Sequence, residues 1–155
     1  MRLTVVALVT LLLDQFSKYL ITLHLLPGES IPVFPPVFYI TYILNPGAAF
    51  GILAHRTNLF IILTLLVIVA IIVWQRYLPK NSTLLHLASG LVVGGALGNL
   101  IDRVRLGKVI DFLDFQVWPV FNLADSAIVI GALLLVIGLW RIDKLEKRVD
   151  VGADN

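Results

Sequence analysis

Long apolar segments are the feature that most restricts what this chain can fold into. Residues 59–76 consist mostly of Ile, Leu and Val, and comparable segments cover residues 3–26, 84–101 and 123–141. Each is close to the ~20 residues with which a helix crosses a bilayer core of about 30 Å. We therefore predict a membrane protein with four transmembrane helices.

The composition also indicates a membrane protein. Of the 155 residues, 59% are hydrophobic and only 14% are charged, whereas a soluble domain averages about 45–50% apolar and about 25% charged residues. No repeat or linker interrupts the sequence, so residues 1–155 are expected to form a single domain. A net charge of +2 is too small to indicate nucleic-acid binding.

The residue types present exclude several kinds of site. The chain has no cysteine, and hence neither a disulfide nor a thiolate nucleophile or metal ligand. Its three histidines, His24, His55 and His86, lie far apart near the ends of the apolar segments, and no HExxH motif occurs. We therefore expect neither a metal nor another cofactor.

The distribution of Lys and Arg predicts the orientation in the membrane. Four spans place both termini on one side. With the termini inside, the cytoplasmic segments carry seven Lys and Arg residues, against four in the outer segments. Because cytoplasmic loops are enriched in these residues, both termini are predicted to be cytoplasmic.

Two segments lie outside the spans on the outer side. In the first, Pro32 and the Pro35–Pro36 pair oppose helix, whereas residues 37–44 are rich in β-branched and aromatic residues and predict a strand. Residues 48–55 are predicted to form a short interfacial helix. The second outer segment, which ends at residue 122, is predicted to be a loop.

Two ionisable residues interrupt the first span. Asp14 and Lys18 are four residues apart, so they share one face of a helix and can form an ion pair. Charged residues inside a span are costly and are usually paired. We interpret these two as a structural pair that orients the helix, with direct contact to a ligand as the alternative.

The third span carries a ridge of small residues. Gly90, Gly94 and Gly98 recur at every fourth position, a spacing that lets two helix backbones approach closely. Asp102 continues this stripe and is therefore expected to face a packed helix.

A neighbouring stripe on the same helix ends in Asn99 and Arg103, near the outer surface. An amide and a guanidinium are suited to hold a peptide backbone through its carbonyl groups. The alternative is that Arg103 reaches the lipid headgroups and neutralises Asp102. The two roles are compatible.

Three aspartates lie in or beside the second outer segment, among Val, Ile, Phe and Trp. Asn122 and Asp125 have the spacing of a helix N-cap and its partner three residues later. Asp111 and Asp114 precede them in the predicted loop, where a solvated carboxylate is the simplest interpretation. Alternatively, two carboxylates that face each other share a proton, so that one acts as a base and the other as an acid. The residues by themselves leave these alternatives open.

Several blocks of the sequence resemble the bacterial lipoprotein signal peptidases, also called signal peptidase II. The blocks are LDQFSK, NPGAAFGI, GGALGNLIDRVRLGKVIDF and FNLADSAI, and the resemblance covers residues 14–131. It implies four transmembrane helices with a small extracytoplasmic β-sheet and a short interfacial helix. It also implies an aspartic endopeptidase of the bacterial inner membrane. Such an enzyme removes the signal peptide of a diacylglyceryl-modified prolipoprotein on the amino side of the lipidated cysteine.

The same resemblance implies roles for individual residues. Asp111 and Asp125 match the catalytic pair, whereas Asp114 has no catalytic counterpart and is expected to be solvated. The polar residues expected to line the substrate site are Asn45, Asn99, Arg103 and Asn122. The polar residues interpreted as structural are Asp14, Lys18 and Asp102.

The resemblance further implies partners. They are the lipid-modified signal peptide, membrane lipids, and globomycin-type cyclic peptides as inhibitors. The active site is expected at the extracytoplasmic face of the membrane.

Two other functions are compatible with parts of the sequence. A proton-coupled carrier would use Asp14 and Lys18 as a relay and would need a polar path at mid-membrane, whereas the polar residues here crowd one surface. A non-enzymatic assembly subunit would bind a partner through the glycine ridge, and it would keep its function after Asp111→Asn.

Overall fold

A computed structural model of the chain describes residues 1–47, 53, 56–79 and 82–153, the last segment as backbone only at 143 and 145–153. Within these residues, four helices are long and apolar enough to cross a membrane, which confirms the four-helix prediction. They are α1 (Arg2–His24), α2 (Thr57–Trp74), α3 (Thr83–Leu106) and α4 (Leu123–Ala153). A 3₁₀ turn, Gln75–Tyr77, extends α2.

Helix α3 is the centre of the bundle, since it packs against each of the other three helices. The glycine ridge explains how α1 comes so close to α3. A methyl group added at Gly90 would collide with Val6, and one added at Gly98 would collide with the Asp14 carboxylate. The ridge therefore faces α1, as its spacing predicts.

Helix α3 continues beyond residue 101, where its apolar segment ends, as far as Leu106. Gly107 then closes the helix in the left-handed conformation (φ 70°), and its N–H donates to the Arg103 carbonyl at 3.0 Å. Charged residues lower the hydropathy of this last turn, but they do not oppose helix. Asp102 and Arg103 are therefore held on a rigid helix rather than on a loop.

Three antiparallel strands form a small sheet in the order β1 (Ser30–Phe34), β2 (Phe38–Asn45) and β3 (Val109–Asp114). Strand β2 is shifted by one residue toward the C-terminus relative to the predicted strand, residues 37–44. Strand β3 replaces part of the predicted loop, so the prediction is wrong for residues 109–114: pairing of Ile43 with Asp111 and of Asn45 with Val109 makes a strand of a segment whose aspartates disfavour one. The predicted interfacial helix, residues 48–55, lies outside the described residues except for Leu53.

Candidate active site

Asn122 holds two aspartates, Asp111 and Asp125, which we call the aspartate pair. The side-chain oxygen of Asn122 accepts the backbone N–H of Asp125 at 2.9 Å, and the backbone N–H of Asn122 donates to Asp125 Oδ2 at 3.3 Å. This is the predicted cap at the start of α4. The Asn122 amide also donates to Asp111 Oδ1 at 2.7 Å. One fully buried asparagine thus joins the middle of β3 to the start of α4.

Asp111 is deeply buried, with 2% of its surface exposed. The Asn45 amide at the end of β2 donates to Asp111 Oδ2 at 2.9 Å, and the strand pairing explains how it reaches that oxygen. Burial, followed by the nearby charge of Asp125, raises the pKa of Asp111 to about 7. A carboxyl group in these surroundings can hold a proton near neutral pH.

Asp125 receives its other hydrogen bond from α3. The Asn99 amide donates to Asp125 Oδ1 at 2.7 Å. One turn further along α3, Arg103 lines the same cavity, and its guanidinium carbon lies 4.9 Å from the centre of the Phe60 ring on α2. This cation–π contact fixes the guanidinium at the cavity wall.

The aspartate pair opens onto a cavity of about 770 Å³. Its polar end contains three of the four predicted binding residues, Asn45, Asn99 and Arg103, and the fourth, Asn122, lies behind the pair. The remaining wall is largely apolar and is lined by Phe115, Trp118, Pro119, Val120, Phe121, Val129 and Ile130. This apolar wall was not predicted from the sequence. The run FQVWPVF, residues 115–121, was the available signal, because such residues next to two spans indicate contact with apolar groups.

The prediction that Asp114 is solvated is wrong. Asp114 ends β3 with 7% of its surface exposed. Its Oδ2 accepts hydrogen bonds from the Thr41 hydroxyl on β2 at 2.7 Å and from the Gln116 amide at 2.8 Å, and its Oδ1 accepts the Gln116 N–H at 2.9 Å. Asp114 therefore fixes the turn after β3, and it does not line the cavity.

The predicted pairing of Asp14 with Lys18 is present, and Asp102 joins it. Lys18 Nζ lies 2.9 Å from Asp14 Oδ2 and 2.8 Å from Asp102 Oδ2. Asp102 faces α1 as its stripe predicts, and its ion-pair partner is Lys18 rather than Arg103. All three charged groups are almost completely buried.

The fold and this site together define a multi-pass membrane protein with two neighbouring carboxylates, a buried Asp111 and a partly buried Asp125, that line a largely apolar cavity. A family model described as "Signal peptidase (SPase) II" matches residues 6–141. The chain therefore belongs to the signal peptidase II family and is a peptidase.

Individual relatives agree with this assignment. The chain is 50% identical to a lipoprotein signal peptidase of Halothermothrix orenii over 141 residues, which are 91% of this chain and 97% of the relative. It is 52% identical over 149 residues to a lipoprotein signal peptidase of Pelotomaculum thermopropionicum, or 96% and 98% of the two chains. A solved structure described as a bacterial membrane enzyme is also similar, with a TM-score of 0.81 and 35% identity over 88% of this chain and 86% of that one.

Proposed function

We propose that the protein is an aspartic endopeptidase that removes the signal peptide from diacylglyceryl-modified prolipoproteins, on the amino side of the lipidated cysteine. The observation that carries the proposal is the aspartate pair, joined through Asn122 at the polar end of an apolar cavity. The names of the relatives support the substrate class. The pair supports the aspartic type of mechanism.

Two neighbouring carboxylates that share one proton are sufficient for peptide hydrolysis. The ionised carboxylate takes a proton from a water molecule, whose oxygen attacks the scissile carbonyl carbon. The protonated carboxyl polarises the carbonyl oxygen and donates its proton to that oxygen. As the tetrahedral intermediate collapses, the carboxylate that gave up its proton takes one back from a hydroxyl group of the intermediate. The C–N bond breaks, and the other carboxyl donates the proton that it took from the water to the leaving amine.

The surroundings of the two aspartates favour different roles. Asp111 is the more buried member, and its raised pKa of about 7 suits the carboxyl that holds the shared proton. Asp125 lies in the first turn of α4, where unpaired N–H groups and the helix dipole favour a negative charge. We therefore assign the proton to Asp111 and the charge to Asp125 in the free enzyme.

The cavity suits a lipidated peptide. Its apolar wall between residues 115 and 130 can hold acyl chains or signal-peptide side chains, while Asn45 and Arg103 can donate to peptide carbonyl groups. The Lys and Arg distribution supports a cytoplasmic-membrane enzyme with cytoplasmic termini and an extracytoplasmic site. A globomycin-type cyclic peptide is then expected to compete with the substrate for this cavity.

The test is cleavage of a diacylglyceryl-modified prolipoprotein by the purified protein, followed by mass spectrometry. We expect a mass decrease equal to that of the signal peptide. Asp111→Asn and Asp125→Asn should each lower kcat by about 100-fold or more, because an acid or a base is lost. Asp114→Asn is the matched control and should keep most of the activity. Cleavage by Asp111→Asn at the wild-type rate would contradict the proposal.

A further inference from the structure

The buried charges of Asp14, Lys18 and Asp102 have no part in the chemistry proposed above. Their exposed fractions are 0%, 2% and 3%. Removing three charged groups from water is expensive, and an ion pair regains that free energy only in part. Their contacts beyond the ion pairs therefore indicate what the three residues do.

Each of the two carboxylates binds the backbone next to one member of the aspartate pair. Asp102 Oδ2 accepts the N–H of Ile110 at 3.1 Å, and Ile110 directly precedes Asp111. Asp14 Oδ1 accepts the N–H of Ala124 at 2.9 Å, and Ala124 directly precedes Asp125. The same motif thus appears on both sides of the site.

Lys18 also contacts a side chain that binds the aspartate pair, namely Asn99. It donates to Asn99 Oδ1 at 2.9 Å, and the Asn122 amide donates to the same oxygen at 3.1 Å. With its oxygen occupied by two donors, Asn99 can present only its NH₂ group to Asp125, which it reaches at 2.7 Å. The ammonium group therefore determines which end of the Asn99 amide faces Asp125.

We propose that Asp14, Lys18 and Asp102 form a positioning clamp, which fixes β3 and the start of α4 relative to each other and so holds the aspartate pair at its working separation. This inference rests on the proposed function, since it takes Asp111 and Asp125 as the catalytic residues. None of the three clamp residues lines the cavity beside the aspartate pair. A misplacement of 1 Å at a catalytic site can lower the rate by about 100-fold, so the clamp controls kcat more than KM.

Two substitutions at Asp102 distinguish the effect of its hydrogen bonds, which position the backbone, from the effect of its negative charge. Asparagine and leucine both keep the branched shape of the aspartate side chain, and both Asp102→Asn and Asp102→Leu remove the carboxylate charge. The asparagine retains one side-chain oxygen. That oxygen can accept both the Lys18 and the Ile110 bonds, because both now end on Oδ2. Only the bond from the Gln15 amide, which ends on Oδ1 at 3.1 Å, is lost. We expect Asp102→Leu to lower kcat by about 100-fold and Asp102→Asn to stay within about 10-fold of wild type, with KM little changed in both.

Ser89→Ala is the matched control. Ser89 lies on α3 with 0% exposure, and its hydroxyl has no hydrogen-bond partner among the described residues. It is thus a buried polar residue of the same helix without a link to the pair. Its kcat should equal that of wild type.

Substitutions at Lys18 provide a second test of the clamp, which remains available if Asp102→Leu does not fold. The Lys18 charge lowers the pKa of Asp111, against the larger raising effects of burial and of Asp125. Lys18→Met should therefore lower kcat and move the alkaline limb of the pH–rate profile to higher pH, whereas Lys18→Arg should return both toward wild type. A role confined to folding would lower Tm and leave the pH profile unchanged.

Asp111→Asn, measured in parallel, distinguishes the two proposals. Wild-type cleavage by Asp111→Asn would overturn the proposed function itself. If Asp111→Asn is inactive but the Asp102 and Lys18 variants keep wild-type kcat, only the clamp is overturned. Equal losses in Asp102→Asn and Asp102→Leu would also overturn it, because the charge alone would then explain the effect.

Discussion

At the scale of single residues, the protonation of Asp111 predicts the pH dependence of the reaction. In the proposed mechanism, the active form of the aspartate pair carries one shared proton. Burial and Asp125 raise the pKa of Asp111 to about 7, so the proton is lost as the pH rises through this value, and activity should fall. Protonation of the second carboxylate should lower activity again at acidic pH. We expect a bell-shaped profile of kcat/KM against pH, and a rate that still increases above about pH 8 would contradict the assignment.

Infrared difference spectroscopy tests which aspartate carries the proton. The pair titrates as a unit, so the assignment concerns the dominant microscopic form. A protonated-carboxyl band near neutral pH should disappear in Asp111→Asn and should remain in Asp125→Asn. Persistence of the wild-type band in Asp111→Asn would reverse the two roles without affecting the pair itself.

Asp114 should matter for stability rather than for catalysis. Asp114→Asn weakens the hydrogen bonds to Thr41 and Gln116, and one bond to a charged group contributes about 1.5–3 kcal/mol. We expect kcat close to wild type and a Tm lower by roughly 2–8 °C. A large loss of kcat with an unchanged Tm would give Asp114 a role in the reaction.

Local and distant contacts differ in how far the sequence predicts them. The cap formed by Asn122 and Asp125 was predictable, because both residues belong to one helix turn and their spacing determines the bonds. The surroundings of Asp114 were not, because Thr41 is 73 residues away and meets it only through the pairing of β2 with β3. Nothing in the sequence around Asp114 specifies that strand register.

At the scale of the elements, the approach of α1 to α3 predicts a strong effect of one methyl group. In Gly98→Ala the new methyl would overlap the Asp14 carboxylate, so α1 must move away or Asp14 must leave Lys18. Overpacking of this kind typically costs about 1–3 kcal/mol. Thermal unfolding in detergent should show a lower Tm, with a fall in kcat through the displaced clamp.

Val104→Ala is the control for that substitution. Val104 lies on the same helix, but 67% of its surface is exposed, away from the other helices. It should leave Tm and kcat nearly unchanged. Equal effects of the two substitutions would mean that the glycine ridge is not what determines the helix spacing.

Helices and strands differed in predictability for a physical reason. Each span must satisfy its own backbone hydrogen bonds inside the bilayer, so the apolar segments alone indicated four helices. A strand depends on its partner. The aspartates of β3 made a loop the better local prediction, and only the pairing with β2 reverses it.

At the scale of the whole molecule, the Lys and Arg asymmetry predicts the orientation. Reporters fused to either terminus should be active in the cytoplasm, and a tag beside Glu29, before β1, should be labelled from outside intact cells. The physical reason is the retention of positively charged segments on the cytoplasmic side. External labelling of the C-terminus would reverse the orientation and place the aspartate pair on the cytoplasmic side.

The bonds that link the two ends of the chain have a consequence for biogenesis. The Asp14–Ala124 bond spans 110 residues and joins the first helix to the last. The other partners of this cluster, Asp102 and the Ala124 N–H, belong to helices that are synthesised after α1, so only the Asp14–Lys18 pair lies within α1 itself. Because Asp125 lies on the last helix, the proposed site is incomplete until α4 is inserted, and we expect no cleavage before synthesis has passed that helix.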